Sequence, residues 1–213
     1  MSTQYRIIVL PEFHRELRAL ALAAKSQPGG LRDRELEALR IGVEALTDGR
    51  EEDFGGRRLG YSPKHHDLRD CAEIKLPVVP QSRGDRDLGP SHRLTYREFE
   101  AEDGGLPYRE LVSFAPRQGN RAFIIAAERL GRKFGTRATE LTGLPEQRPT
   151  VGPQAHAVPT GPIRQPLPPD LAKALAAASG VAPAKGATST PAASALRAPP
   201  TSQQANSATD RTR

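Results

Sequence analysis

The stretch that most constrains the fold runs from Asp67 to Phe99, where two alternating segments flank a polar break containing Gly and Pro. In the first segment Ala72, Ile74, Leu76 and Val78 recur at every second position, with Glu73 and Lys75 between them; in the second, Leu94 and Tyr96 alternate with Arg93, Thr95 and Arg97. A period of two sends successive side chains to opposite faces, so each segment predicts a half-buried β-strand. If the two apolar faces share a core, Lys75, Arg93 and Arg97 stand together on the other face, as a cationic patch suited to phosphate. The break between them, 81–91, carries Arg83, Asp85, Arg86 and Asp87 and predicts a flexible loop.

Upstream, Tyr5 to Leu10 is β-branched and apolar, and Pro11 both ends that strand and suits the first position of a helix. Phe13, Leu17, Leu20 and Ala24 then form one helical stripe to about Lys25. After the break at Ser26–Gly30, a second helix over 31–46 places Leu36, Leu39, Val43 and Leu46 inward, with Arg32, Arg34, Glu35 and Glu37 outward. The pair predicts a helix hairpin. Residues 47–66 are charged and Gly-rich, and they predict a poorly ordered loop that brings Arg57, Arg58 and Lys64 toward the sheet.

Downstream, a third strand is expected over 108–115 and a last helix over 121–132, with Phe123, Ala126, Ala127 and Leu130 as its stripe. The order is strand, helix hairpin, three antiparallel strands, helix. This predicts an α+β domain with its helices on one face of the sheet.

Aromatic residues make up only 5% of the 213 residues, none follows Phe134, and 12 of the 20 prolines lie at or beyond Pro145. One core is therefore expected, with a folded domain at 1–135 and a disordered Pro/Ala/Ser-rich tail at 136–213. Asp170–Ser179 is the tail's only helix-forming stretch, and it is short for a helix on its own. Of the net charge of +6, about +4 falls in 145–213 by count, so the folded part is nearly balanced and only a local patch would favour nucleic acid. The one cysteine, Cys71, is read as a small, partly buried filler. The N-terminal apolar run is too short for a signal sequence, and no stretch is long enough to span a membrane, so a cytoplasmic protein is expected.

With this order in place, Asp70-Cys-Ala-Glu-Ile-Lys-Leu76 and Arg93-Leu-Thr-Tyr96 resemble the DCxKIKL and YRLVY strands of the RelE branch of the RelE/ParE superfamily, toxins of type II toxin–antitoxin systems. Ser113-Phe-Ala-Pro-Arg117 stands where that branch has a further cation ahead of its last helix. The resemblance covers about 4–132. It implies a ribosome-dependent endoribonuclease that cuts mRNA in the A site with the RNA's own 2′-hydroxyl as nucleophile, using no metal and no cofactor, and a cognate antitoxin as partner. By position it assigns Lys75, Arg93 and Arg117 to catalysis. Arg93 and Arg117 would hold the phosphate, and Lys75 would serve as base or electrostatic support. Arg97, Phe123 and Lys64 are the candidate substrate contacts.

Two residues depart from the resemblance: Glu73 stands where the RelE branch has a second lysine, and Phe123 where it has a tyrosine. Other branches transfer protons with a C-terminal histidine, and here none occurs between His92 and His156. His65, His66 and His92 are read as ordinary loop or strand-end residues. Two rival functions remain: a ParE-like inhibitor of DNA gyrase, and a non-catalytic RelE-fold binding module that uses the tail as its arm.

Overall fold

Pro11 sets the first corner of the fold. It follows β1 (Arg6–Val9) and opens α1 (Pro11–Ser26) without leaving a backbone N–H to be satisfied. The computed structural model describes residues 4–83, 85–101, 104–144 and the two-residue strand Gln165–Pro166. The chain divides into units Met1–Val181 and Ala182–Arg213, and the second lies wholly outside the described residues. So does the helix expected over 170–179, along with most of the range read as a disordered tail.

Phe13, Leu17, Ala21 and Ala24 form the buried stripe of α1, with Leu20 partly buried beside them. Gly29, at φ 74°, donates its N–H to Asp33 in the first turn of α2 (Leu31–Thr47), which closes the hairpin. Gly42 is where α2 meets the sheet: a Cβ there would lie 2.8 Å from Leu76 Cδ1, so any larger residue would have to displace the Leu76 side chain.

The remaining strands are β2 (Arg57–Arg58), β3 (Cys71–Leu76), β4 (Ser82–Arg83), β5 (Arg86–Asp87), β6 (His92–Phe99), β7 (Tyr108–Pro116) and β8 (Gln165–Pro166). Five of them join β1 in one sheet of order β2-β3-β6-β7-β1-β8, and β4 and β5 make a separate ribbon in the segment expected to be a flexible loop. Pairing is antiparallel except between β1 and β7. This is the mixed α+β class expected. β8 falls within the range read as tail and pairs with the outer edge of β1.

The helices do not share one face. Ile74, Leu94 and Phe114 occupy one row across β3, β6 and β7, and α2 packs over Ile74 and Leu76. Glu73, Thr95 and Ser113 occupy the next row and so point the other way. There Ser113 Oγ donates to the Ala122 carbonyl of α3 (Arg121–Arg129), so α3 covers the opposite face. Val112 is the extra residue where the β6–β7 register shifts, and its carbonyl accepts from Arg129. The last helix ends at Arg129 rather than 132, since Leu130 caps it and Gly131 turns at φ 66°.

Charges expected to face solvent are partly inside. Arg109 is fully buried, donating to Glu51, to Glu98 and to the Leu46 carbonyl at the end of α2. Arg58 pairs with the other Glu98 oxygen. The segment read as a poorly ordered loop thus supplies a strand, a 3₁₀ turn (Glu51–Phe54) and two members of a buried ionic cluster. Burial raises the Glu98 pKa, against the lowering pull of Arg109 and Arg58. Glu35, placed outward by its helical position, is also buried and sits 3.4 Å from His92 Nε2. Cys71 is completely buried, and burial drives its thiol pKa well up.

The packed chain continues past 135, where the domain was expected to close. Asp67 accepts the Ala138 N–H at 3.0 Å, Arg69 donates to the Leu144 carbonyl at 2.6 Å, and Leu141 is buried. Apolar spacing gives no hint of this segment, because buried polar groups hold most of it. No helix among the described residues is long and apolar enough to cross a membrane.

Candidate functional site

Register builds the site. Lys75 on β3 pairs with Arg93 on β6, which pairs with Ala115 on β7, so two cations lie side by side above a small residue. The next row holds Arg57 of β2 beside Glu73 of β3. Arg117 follows β7 directly, anchored by its N–H to the Ser91 carbonyl and by its guanidinium to the Leu88 carbonyl. The three residues assigned to catalysis therefore sit at one end of the face that carries α3, beyond the rows which that helix covers.

Glu73 is the hub of this cluster. It is fully buried, accepts the Arg57 Nε–H on one oxygen and has Arg93 Nε 3.2 Å from the other. Arg93 also donates to the Pro90 and His92 carbonyls at 3.0 and 2.9 Å. Burial lowers the Arg93 pKa from its ordinary value; Glu73 opposes that shift, and Arg117 and Arg57 add to it. Arg93 is thus held in place, although much of its fork is occupied by the protein itself. Arg57 is the opposite case, with a side chain 60% exposed.

Among the described residues Lys75 makes no hydrogen bond or ion pair. It crosses the turn at Gly55, where φ is 58° and a Cβ would lie 3.2 Å from its Nζ. Its ammonium is therefore available to an anion laid along the row, with Arg57 and Arg117 at the flanks.

Of the three expected substrate contacts, Arg97 is not part of the site. It lies toward the other end of β6, donating to Glu110 at 2.8 Å and meeting Asp70 at 3.5 Å, while Arg132 holds the same Asp70 at 2.9 Å. Burial would lower the Arg97 pKa, but Glu110 and Asp70 outweigh it and raise it. Its work is to tie β6, β7 and the end of α3 together. Phe123 and Lys64 do come together, in the walls of an open groove of about 630 Å³ that Arg57 joins to the cationic row.

Sequence reasoning missed most of this groove. His65, His66 and Phe134 line it, and the His66 ring meets Phe134 edge to face at 5.4 Å. Phe134 is 64% exposed, and with Phe123 it gives the groove aromatic surfaces beside a run of cations. The missing signal was a contact between a loop before β3 and a residue beyond α3, which no local period encodes. His92, in contrast, is buried on the helix-hairpin face, between Ser91 Oγ at 3.0 Å and Glu35. Burial lowers its pKa despite Glu35.

Chemically, the arrangement offers a cluster of positive charge, flat aromatic surfaces and two imidazoles, which together suit a phosphodiester with an unstacked base. Comparison of the chain with protein-family models, with curated proteins and with solved structures finds no match in any of the three.

Proposed function

We propose that the end of the sheet beside α3 binds RNA and that the chain is a RelE-like, metal-independent endoribonuclease, acting in the cytoplasm on mRNA in the ribosomal A site. One observation carries the reading: Lys75, Arg93 and Arg117, the positions assigned from the strand motifs, cluster at one end of a single face, with Arg57 beside them and an aromatic groove alongside. The order of strand, helix hairpin, antiparallel strands and final helix supports the same reading. In this reaction the 2′-oxygen attacks the adjacent phosphorus and the 5′-oxygen leaves. Preorganised cations stabilise the charge gathering on the phosphate. Lys75 and Arg117 contact the phosphate, and Arg93 supports the row from beneath, positioned by Glu73.

As a toxin, the chain has a cognate antitoxin that covers this row. A non-catalytic binding module is the second reading, favoured by one observation: Arg93 is largely occupied by Glu73 and two carbonyls. The test is primer extension on mRNA in programmed ribosomes treated with the full chain, run beside a gyrase supercoiling assay. Discrete cuts within codons support the nuclease; loss of supercoiling without cuts moves the target to gyrase.

A further inference from the structure

The cationic row explains how a phosphate is held, but a phosphodiester also needs its 2′-hydroxyl deprotonated. Arg57, Arg93 and Arg117 are unsuited to this, because a guanidinium keeps its proton. Glu73 is buried between two of them and has no open side. Phe123 has no exchangeable proton. The groove that begins at Arg57 does contain groups of the right kind, His65 and His66. Imidazole is the side chain that both takes and releases protons near neutral pH.

The two histidines are not held alike. His65 is exposed, and the contact it makes to the segment beyond α3 is through its carbonyl, which accepts the Gly135 N–H at 3.0 Å. His66 is only partly exposed; its backbone bridges to Phe134 and its ring is seated edge to face against the Phe134 ring at 5.4 Å. Tyr61 closes the same loop by donating to the Gly135 carbonyl at 3.2 Å. An imidazole whose backbone and ring are both fixed is preorganised for proton transfer; one that swings in solvent is not.

We infer that His66 is the general base of this site, which rests on the RNA-cleaving reading above. Neutral His66 takes the proton of the 2′-hydroxyl, and the 2′-oxygen forms its bond to phosphorus. The bond from phosphorus to the 5′-oxygen breaks with its electron pair going to that oxygen, which takes a proton from the Lys75 ammonium. The products are a 2′,3′-cyclic phosphate and a 5′-hydroxyl. His66 then gives its proton to water and Lys75 regains one, so no net acid or base is consumed.

The experiment is single-turnover cleavage of mRNA in programmed ribosomes by the full chain and by His66→Ala, His66→Gln and His65→Ala, with thermal melts of each. His66→Ala is expected to lose about a hundredfold in rate, the usual contribution of a positioned base, and to lose the acid limb of the pH–rate profile. Added imidazole should raise its rate but not the parent's. An mRNA with a 5′-bridging sulfur at the cut, whose leaving group needs no proton, should not restore it. If His66→Ala does not fold, His66→Gln carries the same comparison. Parent-like cleavage by a folded His66 variant overturns the inference, as does a larger loss in His65→Ala. Restoration by the sulfur substrate also overturns it, because His66 would then be the acid. Failure of the parent itself to cut any programmed mRNA would instead overturn the RNA-cleaving reading beneath it.

Discussion

Glu73 Oε2 lies 3.2 Å from Arg93 Nε, while the other oxygen of the same carboxylate accepts the Arg57 Nε–H. One buried anion therefore fixes the inner end of a row of four cations: Arg57, Lys75, Arg93 and Arg117. The charge left over faces outward, where an anionic ligand would lie. At this position a lysine would have repelled both arginines, so the carboxylate changes Arg93 from an open ligand into a positioned support.

Replacing Glu73 with Gln keeps the shape but removes the charge. Hydrogen bonds to charged groups contribute about 2 kcal/mol, so Glu73→Gln should lower the urea midpoint by a corresponding amount. The variant should also gain more thermal protection from sulfate than the parent does, because Arg93 and Arg57 are released toward solvent. Unchanged stability together with unchanged sulfate response would show that Glu73 does not organise the row.

The cluster around Arg109 is less tolerant. Glu51 and Glu98 are both buried and both depend on that guanidinium, which also caps α2 through the Leu46 carbonyl. Taking one partner from a buried ion pair costs roughly 3–5 kcal/mol, because the others are left charged and unsolvated. Arg109→Met should therefore unfold the domain or lower its melting temperature steeply. Arg50→Ala, whose ion pairs to Glu44, Asp48 and Asp53 are all exposed, should cost no more than about 1 kcal/mol. A mild Arg109→Met phenotype in urea denaturation would contradict the assignment.

These two clusters mark what the sequence could and could not reveal. Ala72, Ile74 and Leu76 announce a strand by their period, and the same period carries Lys75 to the face of Arg93, so the row was legible. Helix stripes led by Phe13 and Leu39 were legible for the same reason. Patterning assumes that charge faces water, and it fails at Glu35, Arg58, Arg97 and Arg109, each of which has a partner on another element of the fold. The distance from Arg58 to Glu98 in sequence, 40 residues, is one that no local window spans. The groove escaped for a related reason: Phe134 sits beyond α3 and meets His66 only through the tertiary fold.

Acid should loosen the segment beyond α3 before it unfolds the sheet. Burial alone would raise the Asp67 pKa, but the Arg69 guanidinium and the Ala138 N–H outweigh it, and the folded value lies below the ordinary carboxylate one. A depressed carboxylate stabilises the fold above its unfolded pKa, and that contribution is lost as pH falls through the folded one. Hydrogen exchange at the Ala138 amide should therefore speed up, relative to the core strands, below about pH 4. Asp67→Asn should show the faster exchange at neutral pH as well. Equal protection of Ala138 in parent and variant would remove Asp67 as the anchor.

Lys75 and Arg93 are neighbours in register yet differ in what holds them, and that difference separates function from stability. Lys75 has no hydrogen bond or ion pair among the described residues, so Lys75→Ala should change stability by no more than about 0.5 kcal/mol. If its ammonium meets the phosphate as charge develops, cleavage should still fall about a hundredfold, equivalent to roughly 3 kcal/mol of transition-state stabilisation. Arg93→Ala should reduce cleavage at least as much, but with a stability loss, since Glu73 is left facing Arg57 alone. Arg117→Ala should do less, because that guanidinium is drawn back toward the Leu88 carbonyl. The informative variant is thus the lysine: a stable, folded Lys75→Ala that cuts mRNA like the parent would mean that this row is not where the phosphate reacts.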